Sequence, residues 1–126
     1  MKHIVILKKK YLNLILEGKK TIESRWSIHK TLPYGRVNVD DILYLKETGG
    51  DVVASARVSD VKTFTLDSDV VDYIIDTYGD AICINKENKE RYNKKYCTLI
   101  WVSDVKLIEP FKVKKSYGSG WMLMNE

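Results

Sequence analysis

Around Gly18 the chain changes its hydrophobic period, and this change limits the folds open to it. Before it, Leu7, Tyr11, Leu14 and Ile15 recur at i, i+4, i+7 and i+8, the apolar stripe of an amphipathic helix. Gly18 suits the C′ position that ends such a helix. After it, Lys19-Lys20-Thr21-Ile22-Glu23-Ser24-Arg25-Trp26 alternates with the period of a strand. Thr21, Glu23 and Arg25 then share one face, and Ile22, Ser24 and Trp26 the other. A core would claim Ile22 and Trp26, which turns Glu23 and Arg25 toward solvent or a cleft. A slip of one residue would bury both charges and expose the tryptophan, so the register is strongly specified. Such a Glu–Arg pair is either a surface ion pair worth little energy or the floor of a polar cleft. In a cleft, arginine would grip a phosphate or base edge and glutamate would act as acceptor or base. In either case the pattern predicts that Arg25→Ala leaves folding nearly intact, whereas Trp26→Ala removes a core residue.

The remaining elements follow the same logic. His3-Ile4-Val5-Ile6-Leu7 is an apolar run of strand length, and Lys8-Lys9-Lys10 opens the helix after it. Three lysines at a helix start oppose the macrodipole, so they serve solvation or a phosphate rather than the helix. Ser27 to Arg36 contains Pro33 and Gly35 and reads as a long loop, a frequent home of function. It interleaves His29, Lys30, Tyr34 and Arg36, the mixture of cations and rings that single-stranded nucleic acid uses. Ile42–Leu45 and Val52–Val58 read as a hairpin around a glycine-rich turn, the small Ala54, Ser55 and Ala56 fitting a crowded barrel interior. Asp67 and its neighbours cap a second helix with Val70, Val71, Ile74, Ile75 and Tyr78 on its apolar stripe and Gly79 at its end. Asn85 to Lys95 is a polar helix or loop. Tyr96 to Ile108 alternates with both faces apolar, as in a central strand, with a bulge at Ser103-Asp104 and an end at Glu109-Pro110. In Gly118-Ser119-Gly120 the two glycines permit a sharp turn or a close approach to a ligand.

Charge bears on the partner. Residues 1–36 carry nine basic and two acidic side chains, residues 37–81 three and ten, and residues 82–126 nine and five. The overall +4 therefore hides basic ends and an acidic middle. A basic face attracts polyanions, and the basic N-terminal segment is the one carrying the Glu–Arg strand. Helix capping accounts for much of the acidic middle, including Asp67, Asp69 and Asp72, which make a weak metal set. Cys83 and Cys97 lack zinc-ligand spacing and read as reduced thiols, so neither metal nor cofactor is expected. No apolar run reaches membrane-spanning length, and a single cytoplasmic domain over residues 1–126 is expected.

Gly18-Lys19-Lys20-Thr21-Ile22-Glu23-x-Arg25, preceded by Lys8-x-x-Tyr11-x-x-x-Ile15-x-x-Gly18, resembles the signature of the ASCH domains within the PUA-like superfamily. The motif covers the first fifth of the chain, and the rest agrees in its order of elements. The resemblance implies an α+β fold, a PUA-like mixed β-barrel of about five or six strands with two or three helices. It also implies a cleft between the barrel and the first helix. ASCH domains are generally regarded as RNA-binding modules, and related domains hold a flipped modified base in an aromatic cage. The implied partner is RNA or a modified nucleoside or nucleobase, met by Lys19, Lys20, Glu23, Arg25, His29, Lys30, Tyr34 and Arg36. One ASCH branch hydrolyses N4-acetylcytidine with a lysine in Gly-x-Lys-Thr, a threonine three residues later and a distant glutamate; another cleaves RNA. Lys20 matches that lysine, but Glu23 stands where the threonine belongs. Lys20 and Glu23 are therefore the candidate catalytic pair of an alternative reading, a hydrolase acting on a modified nucleobase or on RNA. A further alternative is a protein-interaction adaptor whose acidic middle segment meets a basic partner.

Overall fold

The computed structural model describes residues 1–84, 87, 89–114 and 120–124. Its elements are β1 (Lys2–Leu7), α1 (Lys9–Leu16), β2 (Ile22–Ser27), β3 (Ile42–Glu47), β4 (Val52–Thr65), α2 (Ser68–Ile82), a 3-10 turn (Lys89–Tyr92), β5 (Tyr96–Phe111) and β6 (Trp121–Leu123). The strands form one curled sheet in the order β2-β5-β4-β3-β1-β6. β1 and β3 run parallel, which α1 and β2 make possible by carrying the chain across between them, and the other pairs are antiparallel. No described helix is long and apolar enough to cross a membrane.

The sheet curls around a core of Val5, Leu7, Leu43, Leu45, Ala54, Ala56, Val58, Ile100 and Trp121, which Leu12 and Ile15 of α1 fill. Ala54 and Ala56 are small because the interior is crowded. On the other face, α2 sets Ile74 and Ile82 against Ile22, Cys97 and Leu99, a second cluster. β5 divides the two clusters, which is why both of its faces read as apolar.

Local chemistry fixes most boundaries. Gly18 ends α1 at φ +77°, as its position predicted, although Leu12 rather than Leu14 supplies the buried contact beside Ile15. The Asp67 carboxylate accepts a hydrogen bond from the Val70 N–H (2.9 Å), capping α2. Gly79 does not end this helix. The helix runs on to Ile82, whose burial in the second cluster outweighs the glycine's weak propensity, and Cys83 ends it at φ 60°. β4 extends past Val58 to Thr65, and β5 past Pro110 to Phe111. Pairing shifts from Ala54↔Leu107 to Val52↔Phe111, so Pro110 sits in a bulge where no ladder N–H is required. The bulge expected at Ser103-Asp104 is present, with Asp104 at φ 51°. Of the polar segment 85–95, residues 85, 86 and 88 lie outside the described residues, as do Gly118 and Ser119 beside Gly120.

Candidate functional site

Lys20, Glu23 and Arg25 converge on one cavity of about 200 Å³, bordered also by Tyr11 of α1, the C-terminal end of α2, and Trp26, Arg91 and Tyr92. Lys20 is 3% exposed, and its ammonium is surrounded by acceptors. It donates to the carbonyls of Ile22 (3.0 Å) and Ile82 (2.6 Å) and lies 3.3 Å from Glu23 Oε1. Ile82 is the last residue of α2, so Lys20 brings a cation to carbonyls that the helix leaves without intrahelical partners. Its Nζ also sits 5.6 Å from the Tyr11 ring centroid.

Glu23 Oε1 accepts the Ser24 N–H (2.9 Å), and Oε2 accepts from Arg25 Nη2 (3.0 Å). Burial pushes its carboxyl upward. The charges of Arg25 and Lys20, with hydrogen bonds from Arg25 and Ser24, outweigh burial and hold the carboxyl below its ordinary 4.5. Glu23 is thus ionised at neutral pH, and the three side chains together carry one net positive charge.

Arg25 does more than the strand alternation predicted. Its Nη2 donates to the Ile6 carbonyl and its Nη1 to the Gly120 carbonyl, both at 3.1 Å. Ile6 lies in β1 and Gly120 just before β6, at the opposite edge of the sheet from β2. The guanidinium therefore bridges the open side of the curl. Gly120 permits this approach, because a Cβ there would stand 2.8 Å from Arg25 Nη1. The guanidinium carbon also lies 5.3 Å from the Trp121 ring. Trp121 donates from Nε1 to His3 Nδ1 (3.1 Å), and His3 Nε2–H accordingly points to Asp41 Oδ2 (2.8 Å). This fully buried histidine carried no signal in the sequence beyond its place in an apolar run.

Trp26 departs from expectation. It is half-buried rather than core, its ring 4.8 Å from that of Tyr92 and its Nε1 donating to Ser24 Oγ (3.0 Å). β2 is an edge strand, so side chains from both of its faces border the same opening.

The other candidates are scattered. Lys30 is exposed, with Nζ 5.9 Å from the Tyr34 ring and 5.6 Å from that of Tyr96. Lys19 is exposed and pairs with Glu17 (3.2 Å), while His29 and Arg36 are exposed and do not line the cavity. Tyr11 was read as part of the helix stripe and of the ASCH-like motif, while Arg91 and Tyr92 lie in a polar segment without periodicity. Neither of the latter two could be placed here from the sequence. Cys83 and Cys97 are free thiols, and burial pushes that of Cys97 far above its ordinary range. No group of three metal-ligating side chains occurs among the described residues.

No protein-family model and no curated protein sequence matches the chain. Solved structures do. The ASCH protein from Zymomonas mobilis superposes with a TM-score of 0.75 at 16% identity, over 98% of this chain and 87% of that one. A serine-to-alanine mutant of the same protein gives 0.76 at 16% identity, over 98% and 88%. The hypothetical protein PH0355 gives 0.55 at 18% identity, over 86% of this chain and all of its own. The chain therefore has the ASCH-domain fold, an α+β PUA-like half-barrel with six strands and two α-helices among the described residues.

Proposed function

We propose that this domain binds RNA or a modified nucleoside, taking one base into the cavity bordered by Lys20, Glu23 and Arg25. The carrying observation is the pairing of an ionic floor with aromatic walls in a space of about 200 Å³. That is below the roughly 300–1,000 Å³ of sites for drug-sized ligands, and it suits a single base. Tyr11 and Trp26 offer half-buried rings for stacking, with Tyr92 packed behind Trp26, and the Glu23 carboxylate offers an acceptor to an exocyclic amine. Base–aromatic contact of this kind is the usual means of reading an unpaired base.

Binding is favoured over hydrolysis by the state of the two candidate catalytic groups. A general base works best with a pKa near the operating pH, and Glu23 is held well to the acid side. Lys20 is enclosed by two carbonyls and a carboxylate. The hydroxyl required by the N4-acetylcytidine reaction is missing at position 23. Titration of a panel of plain and modified ribonucleosides, followed by tryptophan fluorescence and calorimetry, tests the proposal. At least one should saturate, and Trp26→Ala should weaken it by on the order of 1–3 kcal/mol, the worth of one stacked base. The absence of binding by every nucleoside to a folded protein would sink the proposal. Turnover of N4-acylated cytidines that stops in Lys20→Ala would replace it with the hydrolase reading.

A further inference from the structure

We infer that the ligand is a single strand of at least two nucleotides, with a second cavity beside the first holding the neighbouring residue. This inference rests on the base-binding reading of the first cavity. The second cavity has a volume of about 540 Å³, more than twice that of the first, and falls in the range of sites for whole small molecules. It shares Arg25 and Trp26 with the first, so one guanidinium and one indole form the wall between them. A free nucleoside fills only one side of that wall.

The chemistry of the second cavity matches a sugar-phosphate unit. Among its described lining residues there is no carboxylate, and Thr31 supplies an exposed hydroxyl. Arg25 has five N–H donors, of which the bonds to Ile6, Glu23 and Gly120 take three. The Nε–H and one Nη1–H have no partner among the described residues, and the phosphate joining two nucleotides on either side of the wall would pass close to the guanidinium that carries them. The loop bordering the second cavity also carries Lys30, whose exposed ammonium provides a second cation for the chain beyond.

The test compares a ribonucleoside with the dinucleoside monophosphate that contains it, by calorimetry at low and high salt. The probe pair is cytidine and cytidylyl-cytidine, or whichever nucleoside saturates in the panel above. The dinucleotide should bind about tenfold tighter or more, the scale of one added stacked residue, and salt should erode only that advantage. Thr31 is exposed and outside the first cavity, so Thr31→Glu should fold normally. It should abolish the dinucleotide's advantage and leave nucleoside affinity unchanged. Equal affinity for the two ligands, or an equal loss of both in Thr31→Glu, would overturn the inference and leave the first cavity a monomer site. If neither ligand binds a folded protein, the base-binding reading itself fails, and this inference with it.

Discussion

Arg25 reaches from β2 across an opening that no backbone ladder closes and donates to two carbonyls on its far side. Its removal should therefore cost stability, contrary to what the bare alternation of the strand implies. Loss of hydrogen bonds made by a charged group is worth about 1.5–3 kcal/mol, so Arg25→Ala should lower the unfolding free energy by that much and bring the denaturation midpoint down with it. Gly120→Ala should do the same without touching a charge, because its Cβ would meet the guanidinium. Equal midpoints for wild type and both variants would show that the bridge is energetically idle. Glu23 supplies a pH signature. Its carboxyl is depressed in the folded state, so its stabilising contribution is complete above 4.5 and is lost as pH falls through the lower folded value. Asp41 contributes in the same direction: burial pushes it up, and hydrogen bonds from the Asn38 N–H, His3 and the N-terminal amine pull it further down. Thermal melts between pH 7 and 3 should show an acid limb that Glu23→Gln makes shallower; an unchanged limb would assign the acid sensitivity elsewhere. That Glu23 and Arg25 share a face was legible in the sequence, since alternation needs only neighbours. Their partners were not legible, because Ile6 and Gly120 lie 19 and 95 positions from Arg25.

At the scale of elements, the site is a junction where the end of α2 meets the start of β2. Lys20 makes that junction by joining the Ile82 carbonyl to Glu23. Replacing Lys20 by Met leaves a buried carboxylate with a single cation, and breaking a buried pair in this way costs roughly 3–5 kcal/mol. The double change Lys20→Met with Glu23→Gln should recover part of the loss, since the uncompensated charge is then gone. Urea denaturation of the wild type and both variants checks this, and a double variant as weak as Lys20→Met would refute it. Lys20 was singled out by the resemblance of Gly18-Lys19-Lys20-Thr21 to the ASCH motif. Its burial was not legible, because the carbonyl that holds it is 62 residues away. Element lengths show the same division. The cap at Asp67 and the bulge at Asp104 are local and were readable. The extension of α2 beyond Gly79 depends on Ile82 packing against Ile22 and Leu99, a tertiary fact that propensity does not contain.

For the whole molecule, the unequal spread of charge and the open curl of the sheet have separate consequences. If the basic first third draws in a nucleic-acid strand, affinity for single-stranded RNA should fall linearly with the logarithm of salt concentration. Replacing Lys30 and Arg36 together should flatten that slope; binding indifferent to salt would exclude a backbone-driven mode. The order of elements was legible in local strand, helix and turn signals, while the barrel was implied only by the resemblance of residues 8–25 to ASCH domains. The second cavity was not legible, because it forms where residues 25–33 meet Thr98 and Trp121. The bridging guanidinium, finally, couples occupancy to closure. A ligand that captured the N–H groups bound to Ile6 and Gly120 would have to part the sheet edges, and its affinity would be lowered by the free energy of that opening. A ligand addressing only the two remaining N–H groups leaves the edges joined and raises the melting temperature by mass action. Two ligands of equal affinity can therefore differ in how far they protect the amides of β1 and β6 from hydrogen exchange, and that difference reports which N–H groups each one uses.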